Sequence, residues 1–169
     1  VLHLPNQALD PISTVIVLKV KGRLDVERIL PTQTSEGAIA LTVDDANIHN
    51  PGYGGRLKIG QDSNLAPHLE GWTDFRSHVD WVIEIDRPGK FEIYADVAAG
   101  EQSGFSLRAN TANEKRFKVN PTGDPELYQR QLIGTINLPE GESKIVMRPQ
   151  EASWRPITLR SLTLRLLTD

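Results

Sequence analysis

The side chains able to do chemistry in this chain are scattered carboxylates, four histidines and a few aromatics set in loops. Glycoside hydrolysis needs two carboxyl groups facing each other, roughly 5–10 Å apart. Asp74, Asp80, Asp96 and Asp124 are the candidates. Asp80 and Glu84 fall on the polar parity of a strand, where solvated charge is ordinary, and no catalytic pair is assigned. His3, His49, His68 and His78 show no ligand spacing such as His-Glu-x-x-His. No serine stands in a nucleophile-elbow context. Gly52 to Gly55 has the glycines of a phosphate loop but no Lys-Ser/Thr after them. Asp44, Asp45 and Asp62 could offer oxygen to a hard cation, but polar turns account for them more simply.

The aromatics are more telling. A pyranose presents C–H groups that stack on Trp or Tyr, while its hydroxyls need charged or amide partners at the rim. Trp72 precedes a strand, with Asp74 and Arg76 close by. Trp154 lies in the loop Gln150 to Arg155, beside the Arg155 cation. Tyr53 sits between glycines that would hold it proud of the surface. Trp72, Tyr53 and Trp154, with Asp74 and Arg155 as hydroxyl partners, are therefore the expected sugar-contacting set. In the competing reading, Trp72 or Trp154 plugs an open end of the fold.

These residues need elements to hold them. Val79, Trp81, Ile83 and Ile85 alternate with Asp80 and Glu84; after Arg87, Pro88 and Gly89, the alternation resumes as Phe91, Ile93, Ala95 and Val97. Period two broken by Pro-Gly predicts an antiparallel hairpin with one face in a core, Trp81 included. Further strands are expected at Thr14 to Val20, Ala38 to Val43, Arg56 to Ile59, Gly104 to Ala109, Lys115 to Val119, Tyr128 to Leu138 and Ser143 to Arg148, with Gly60 to Glu70 as a long connection. In Tyr128 to Leu138 the inward set reads as Leu132, Gly134, Ile136 and Leu138. The last strand changes parity between Leu159 and Leu162, which a β-bulge near Arg160 and Ser161 would repair. Many short strands with Gly/Pro turns and little helix signal predict an all-β sandwich or jelly roll.

Composition removes several alternatives. A net charge of −3 is too small to argue for nucleic acid or an anionic membrane. The absence of cysteine excludes disulfides, thiolate zinc sites and a Cys nucleophile. No apolar run approaches the ~20 residues of a membrane helix. The 169 residues suit one main domain and an extra piece, and the start at Val1 suggests a fragment of something longer.

Trp72 through Ala98, with Pro121 to Pro125 and Ile133 to Gly141, resembles carbohydrate-binding modules of families 6 and 35 and related galactose-binding-like sandwiches. The shared pattern is a Trp, a gap, an Asp-containing strand, a Pro-Gly turn and an aromatic strand ending in Ala, with a later Thr-Gly, strand and Gly turn. It implies a jelly-roll sandwich of two antiparallel sheets over residues 33–169 and a non-catalytic glycan-binding role. Leu4, Pro5 and Asp10 to Val20 are similar to the final strands of the β-sandwich after the barrel in α-L-fucosidases of glycoside hydrolase family 29. Residues 1–32 would then be the strand remnant of a preceding β-sandwich domain plus a linker. The chain would be the C-terminal part of a periplasmic or extracellular glycosidase, with its own catalytic domain as a partner. The nucleophile would lie in the barrel, so no catalytic residue transfers to this chain.

Two departures from the pattern matter. Thr122 and Gly123 are followed by Asp124 and Pro125, with Tyr128 the nearest aromatic. Ile157 to Leu167 has neither Asp nor Asn, so the structural calcium of some members is not favoured and no cofactor is expected. A structural accessory domain that packs on the catalytic domain without binding sugar is the alternative reading, and a protein–protein adhesion sandwich a third.

Overall fold

A computed structural model describes residues 21–22, 29–112, 114–124 and 126–167. The expected strand at Thr14 to Val20, the fucosidase-like segment and most of residues 1–32 lie outside the described residues. Eleven strands follow in the described chain: β1 (Ala38–Thr42), β2 (Asn47–His49), β3 (Lys58–Gln61), β4 (Pro67–Glu70), β5 (His78–Ile85), β6 (Gly89–Ala99), β7 (Ser103–Ala109), β8 (Lys115–Val119), β9 (Gln129–Leu138), β10 (Gly141–Pro149) and β11 (Ile157–Leu166). They form two antiparallel sheets. One runs β3-β4-β11-β6-β9, with β1 also paired to β11; the other runs β2-β5-β10-β7-β8. The fold is an all-β sandwich of two antiparallel sheets.

The inward residues of both sheets meet in one core. Val79, Trp81, Ile83 and Ile85 from β5 face Phe91, Ile93, Ala95 and Val97 from β6, all essentially inaccessible to solvent. Trp81 is core, as its parity predicts, and its indole N–H donates to the Thr42 carbonyl at 2.7 Å. A buried indole needs such a partner, because an unsatisfied donor would offset part of the apolar gain.

Two expectations about pairing are corrected. β5 and β6 are not a hairpin. β5 is bonded to β2 and β10, β6 to β11 and β9, so the Arg87-Pro88-Gly89 turn crosses from one sheet to the other. Alternation shows only that each strand has one buried face, and a crossing between sheets has the same period. The turn is clasped by Gln33, whose side chain accepts from the Arg87 N–H (2.6 Å) and donates to the Arg87 carbonyl (3.2 Å). The Arg87 guanidinium in turn donates to the carbonyls of Thr34 and Ser35. The long connection Gly60 to Glu70 contains a strand of its own, since β4 returns against β3.

Both irregular strands bulge. In β11, Leu159 pairs with Val97 and Ser161 with Asp96, leaving Arg160 as the extra residue, where the parity change places it. In β9, Gly134 pairs with Ile93 and Leu132 with Tyr94, so Ile133 is extra. This second bulge overturns the parity reading of Leu132, which faces solvent at 56% exposure. Its cause is Phe117. A Cβ on Gly134, at φ +148, would stand 2.5 Å from the Phe117 ring, so only glycine lets the ring fill that place.

Candidate functional site

The predicted sugar-contacting set is split by the structure. Trp72 and Trp154 are core residues, 1% and 6% exposed, with ring centroids 5.0 Å apart. Both indole N–H groups are spent on backbone: Trp72 donates to the Ser77 carbonyl (3.0 Å), Trp154 to the Trp72 carbonyl (3.1 Å). Neither ring offers a face to a pyranose, so the expectation of direct stacking on these two is overturned in favour of their plugging one end of the sandwich. The physical reason is local. Gly71, at φ +69, brings the chain so close to the Arg56 carbonyl that a Cβ would lie 2.5 Å from its oxygen, and the turn folds Trp72 inward.

Tyr53 is 90% exposed, as its glycine neighbours suggest. Asp74 does not sit free beside Trp72. It is held by Arg76 through bonds of 3.0 and 2.6 Å, and Arg76 also donates to the Tyr53 carbonyl (3.0 Å). Arg76 depresses the Asp74 pKa through its side chain and its amide. Arg155 points elsewhere, toward Glu101 at 3.4 Å and the Trp154 carbonyl at 2.8 Å. Tyr53, Asp74 and the half-exposed Phe75 therefore share one loop cluster, and Arg155 is not part of it.

A better-formed pocket lies on the solvent face of the six-stranded sheet, at the end where β11 begins. Its volume is about 520 Å³, and Asp62, His68, Glu70, Tyr128, Thr158 and Arg160 make its chemistry. That size fits a small ligand, for which ~300–1,000 Å³ is usual. The bulge in β11 supplies Arg160. An unpaired residue is free of the sheet's alternation, and its side chain reaches the β3–β4 turn to donate to Asp62 Oδ2 at 2.5 Å. Asp62 is itself fixed, because its other oxygen accepts the amides of Asn64 (2.8 Å) and Ala66 (2.9 Å). That turn holds Leu65 at φ +62, a left-handed conformation unusual for a bulky residue.

The Arg160 guanidinium lies over the Tyr128 ring, its central carbon 3.7 Å from the centroid, and His68 meets the ring edge-on at 6.0 Å. Glu70 bonds Lys58 at 2.9 Å, with His68 Nε2 at 3.3 Å. The electrostatics follow from these partners. The Ala66 and Asn64 amides and Arg160 outweigh desolvation and hold Asp62 below the ordinary carboxylate range. Lys58 does the same for Glu70, helped by His68. Burial pushes the Tyr128 phenol up.

Among the described residues, two buried side-chain polar atoms lack a hydrogen-bond partner, Thr158 Oγ1 and Arg160 Nε, and both belong to this pocket. The Tyr128 phenol is near enough to Thr158 for its ionisation to be eased, yet the pair does not reach hydrogen-bond geometry. Unpartnered groups are rare in folded proteins and mark places where water or a ligand is held.

Sequence reasoning missed this pocket as a site. In the sequence Asp62 reads only as a cation ligand, and Tyr128 only as the aromatic nearest Thr122-Gly123. The legible signal was the bulge, though not the use made of Arg160. Asp80, expected as a solvated charge on a polar strand face, is instead buried on the opposite sheet under Asn47, His49 and Lys144, and Asp124 accepts the Glu126 amide. Asp45 accepts from the Thr42 hydroxyl in a turn. Among the described residues no group of three or more His, Cys, Asp or Glu is arranged to hold a metal.

No protein-family model matches the chain, and no curated protein matches it. Solved structures do. A family 35 carbohydrate-binding module from Clostridium thermocellum superposes with a TM-score of 0.63 at 15% identity, covering 77% of this chain and 98% of that one. The module CsCBM6-3 from Clostridium stercorarium, solved with cellobiose, gives 0.61 at 12% identity over 82% and 98%. A GH26-CBM35 β-(1,4)-mannanase from Podospora anserina gives 0.62 at 14% identity over 79% of this chain, which spans 28% of that enzyme's chain. At such identities the likeness establishes the fold, a sandwich of the kind used by carbohydrate-binding modules.

Proposed function

We propose that this chain is a non-catalytic carbohydrate-binding module that holds a glycan in the Asp62–Tyr128–Arg160 pocket. The observation that carries the reading is the pocket's composition. Carboxylate acceptors, a guanidinium, a phenol and the two buried polar atoms that lack a partner among the described residues converge in a space the size of a small saccharide. Hydroxyl-rich ligands bind through such mixed donors and acceptors, and bonds to the charged groups are the strong ones. The structural neighbours that are carbohydrate-binding modules support the same role.

The carboxylates support a binding role over a hydrolytic one. A glycosidase acid must be protonated near neutral pH, so its pKa is raised. Asp62 and Glu70 are shifted the opposite way, each by its cation and hydrogen-bond partners. Attachment to a periplasmic or extracellular α-L-fucosidase is proposed from the resemblance of Leu4 to Val20. Pro31 to Gly37 lead into β1, and β11 begins at the pocket and ends beside the start of β1. The pocket is thus placed away from that entry, a geometry suited to presenting glycan to a neighbouring enzyme. Tyr53 and Asp74 remain candidates for a weaker second contact.

The burial of Trp72 and Trp154 favours the competing reading, a structural accessory domain. The two are separated by screening the purified chain on a glycan array and repeating the hits with Tyr128→Ala and Arg160→Ala. Binding lost in both variants supports the pocket. Binding unchanged in both rejects it, and no binding to any glycan favours the structural domain.

A further inference from the structure

We infer that the pocket discriminates by charge, accepting neutral or amino-bearing sugars and turning away uronates. The inference rests on the reading of the pocket as a sugar site. Three carboxylates, Asp62, Glu70 and Glu126, line the pocket against a single guanidinium, that of Arg160. That cation is already engaged, by Asp62 through Nη2 and by the Tyr128 ring through its face. Lys58, just outside the lining, is engaged by Glu70 at 2.9 Å, and His68 lies against the same carboxylate. Among the described residues, no cation of this pocket is left with its charge unmatched. A uronate would add a fourth carboxylate and meet an Arg160 whose Nε–H has no partner but whose charge Asp62 already offsets.

A neutral pyranose meets the opposite situation. Each paired carboxylate keeps lone pairs that can accept a hydroxyl proton, since an ionised carboxylate has about four acceptor sites. The Asn64 amide, the Ser63 hydroxyl and the Tyr128 phenol line or approach the same space as donors. An ammonium in place of one hydroxyl would add attraction to the excess negative charge.

The test uses matched probes: cello-, galacto- and manno-oligosaccharides, the same oligosaccharides oxidised at the terminal C6 to uronates, and glucosamine-ended chains. Each is titrated calorimetrically into the full chain at about 20 mM and about 200 mM salt, because screening weakens exposed charge over that range. At the lower salt the neutral probe should bind at least about tenfold more tightly than its uronate, with the ratio narrowing as salt rises. In Glu126→Gln the ratio should narrow as well, whatever happens to the neutral affinity. A uronate bound as tightly as its neutral counterpart would overturn the charge selection while leaving the sugar site standing. A preference insensitive to both salt and Glu126→Gln would overturn its electrostatic cause. No binding of any probe would reject the sugar reading itself, and this inference with it.

Discussion

Trp72 with Trp154 and Tyr128 with Arg160 are both aromatic assemblies where strands end, and they serve opposite ends. In the first, both rings are in the core and both indole N–H groups are answered by backbone carbonyls. Nothing remains for a ligand to satisfy. In the second, the ring is half-buried, its face carries a guanidinium, and two polar atoms beside it have no partner. An aromatic beside an arginine therefore does not identify a binding platform. What separates plug from pocket is whether the protein's own backbone has already used the polar valences.

The contrast can be broken by substitution. The largest effect is expected at the plug. Trp72→Ala should lower stability by about 3–5 kcal/mol, as for other large buried aromatics, and Trp154→Ala by a similar amount. Urea midpoints with an unchanged slope would measure it. A loss below about 1 kcal/mol would mean that the pair is not structural. Next comes the backbone version of the same contrast, between the two bulges. β9 spends its bulge on packing Phe117, whereas β11 uses its own to present Arg160. Gly134→Ala should cost about 1–3 kcal/mol through overpacking, with glycan affinity retained in the folded fraction.

At the pocket the order reverses. Tyr128→Ala should change stability by no more than about 1 kcal/mol, yet weaken glycan binding at least tenfold, or about 1.4 kcal/mol. Thermal melts and calorimetric titration of one protein batch would read both, and a variant that melts early but binds normally would place Tyr128 with the plug.

The smallest effect is in pH. His78 stacks on His49 and faces Arg148 and Asp80 on the five-stranded sheet. Burial first, then Arg148, lowers its pKa below the ordinary 6.5. As pH falls through about 6.5 the unfolded chain takes up this proton before the folded one, so stability declines until the folded pKa is passed. Melting temperature should slip between pH 7 and 5.5, and His78→Gln should remove part of that slope. An unchanged slope would show that His78 is not its source. Across the same window Asp62 and Glu70, both held below the ordinary carboxylate range by their partners, stay charged.

Much of this was legible in the residues. The bulge at Arg160 follows from Ile157, Leu159, Leu162 and Leu164 needing one inward face, a constraint contained within one strand. Trp81 followed from parity in the same way. Trp72 and Trp154 lie where alternation stops, so no local pattern records their burial. Their partners are a carbonyl five residues away and one 82 residues away. Likewise, β5 and β6 carry the same period whether they pair or face each other, and only β10 and β11, much later in the chain, decide it. The pocket drew its parts from the β3–β4 turn, β4, the approach to β9 and the start of β11, a juxtaposition created by the sheet order.

The Gln33–Arg87 clasp has a mechanical consequence. β1 and β11 run antiparallel, with Ala38 opposite Arg165 and the Leu166 amide bonded to the Gly37 carbonyl. A tension applied through residues 31 and 167 would therefore open this pair one bond at a time, the compliant direction for a β-ladder, and not shear all its bonds together. The clasp stands in the way. Gln33 and the carbonyls of Thr34 and Ser35 are bonded to Arg87, on the turn between the two sheets, so load entering there passes to that turn before it reaches β1. Under such a load Arg87 would be the fuse. Its loss should lower the unfolding force under a pulling probe while leaving the pocket, at the far end of β11, unstrained.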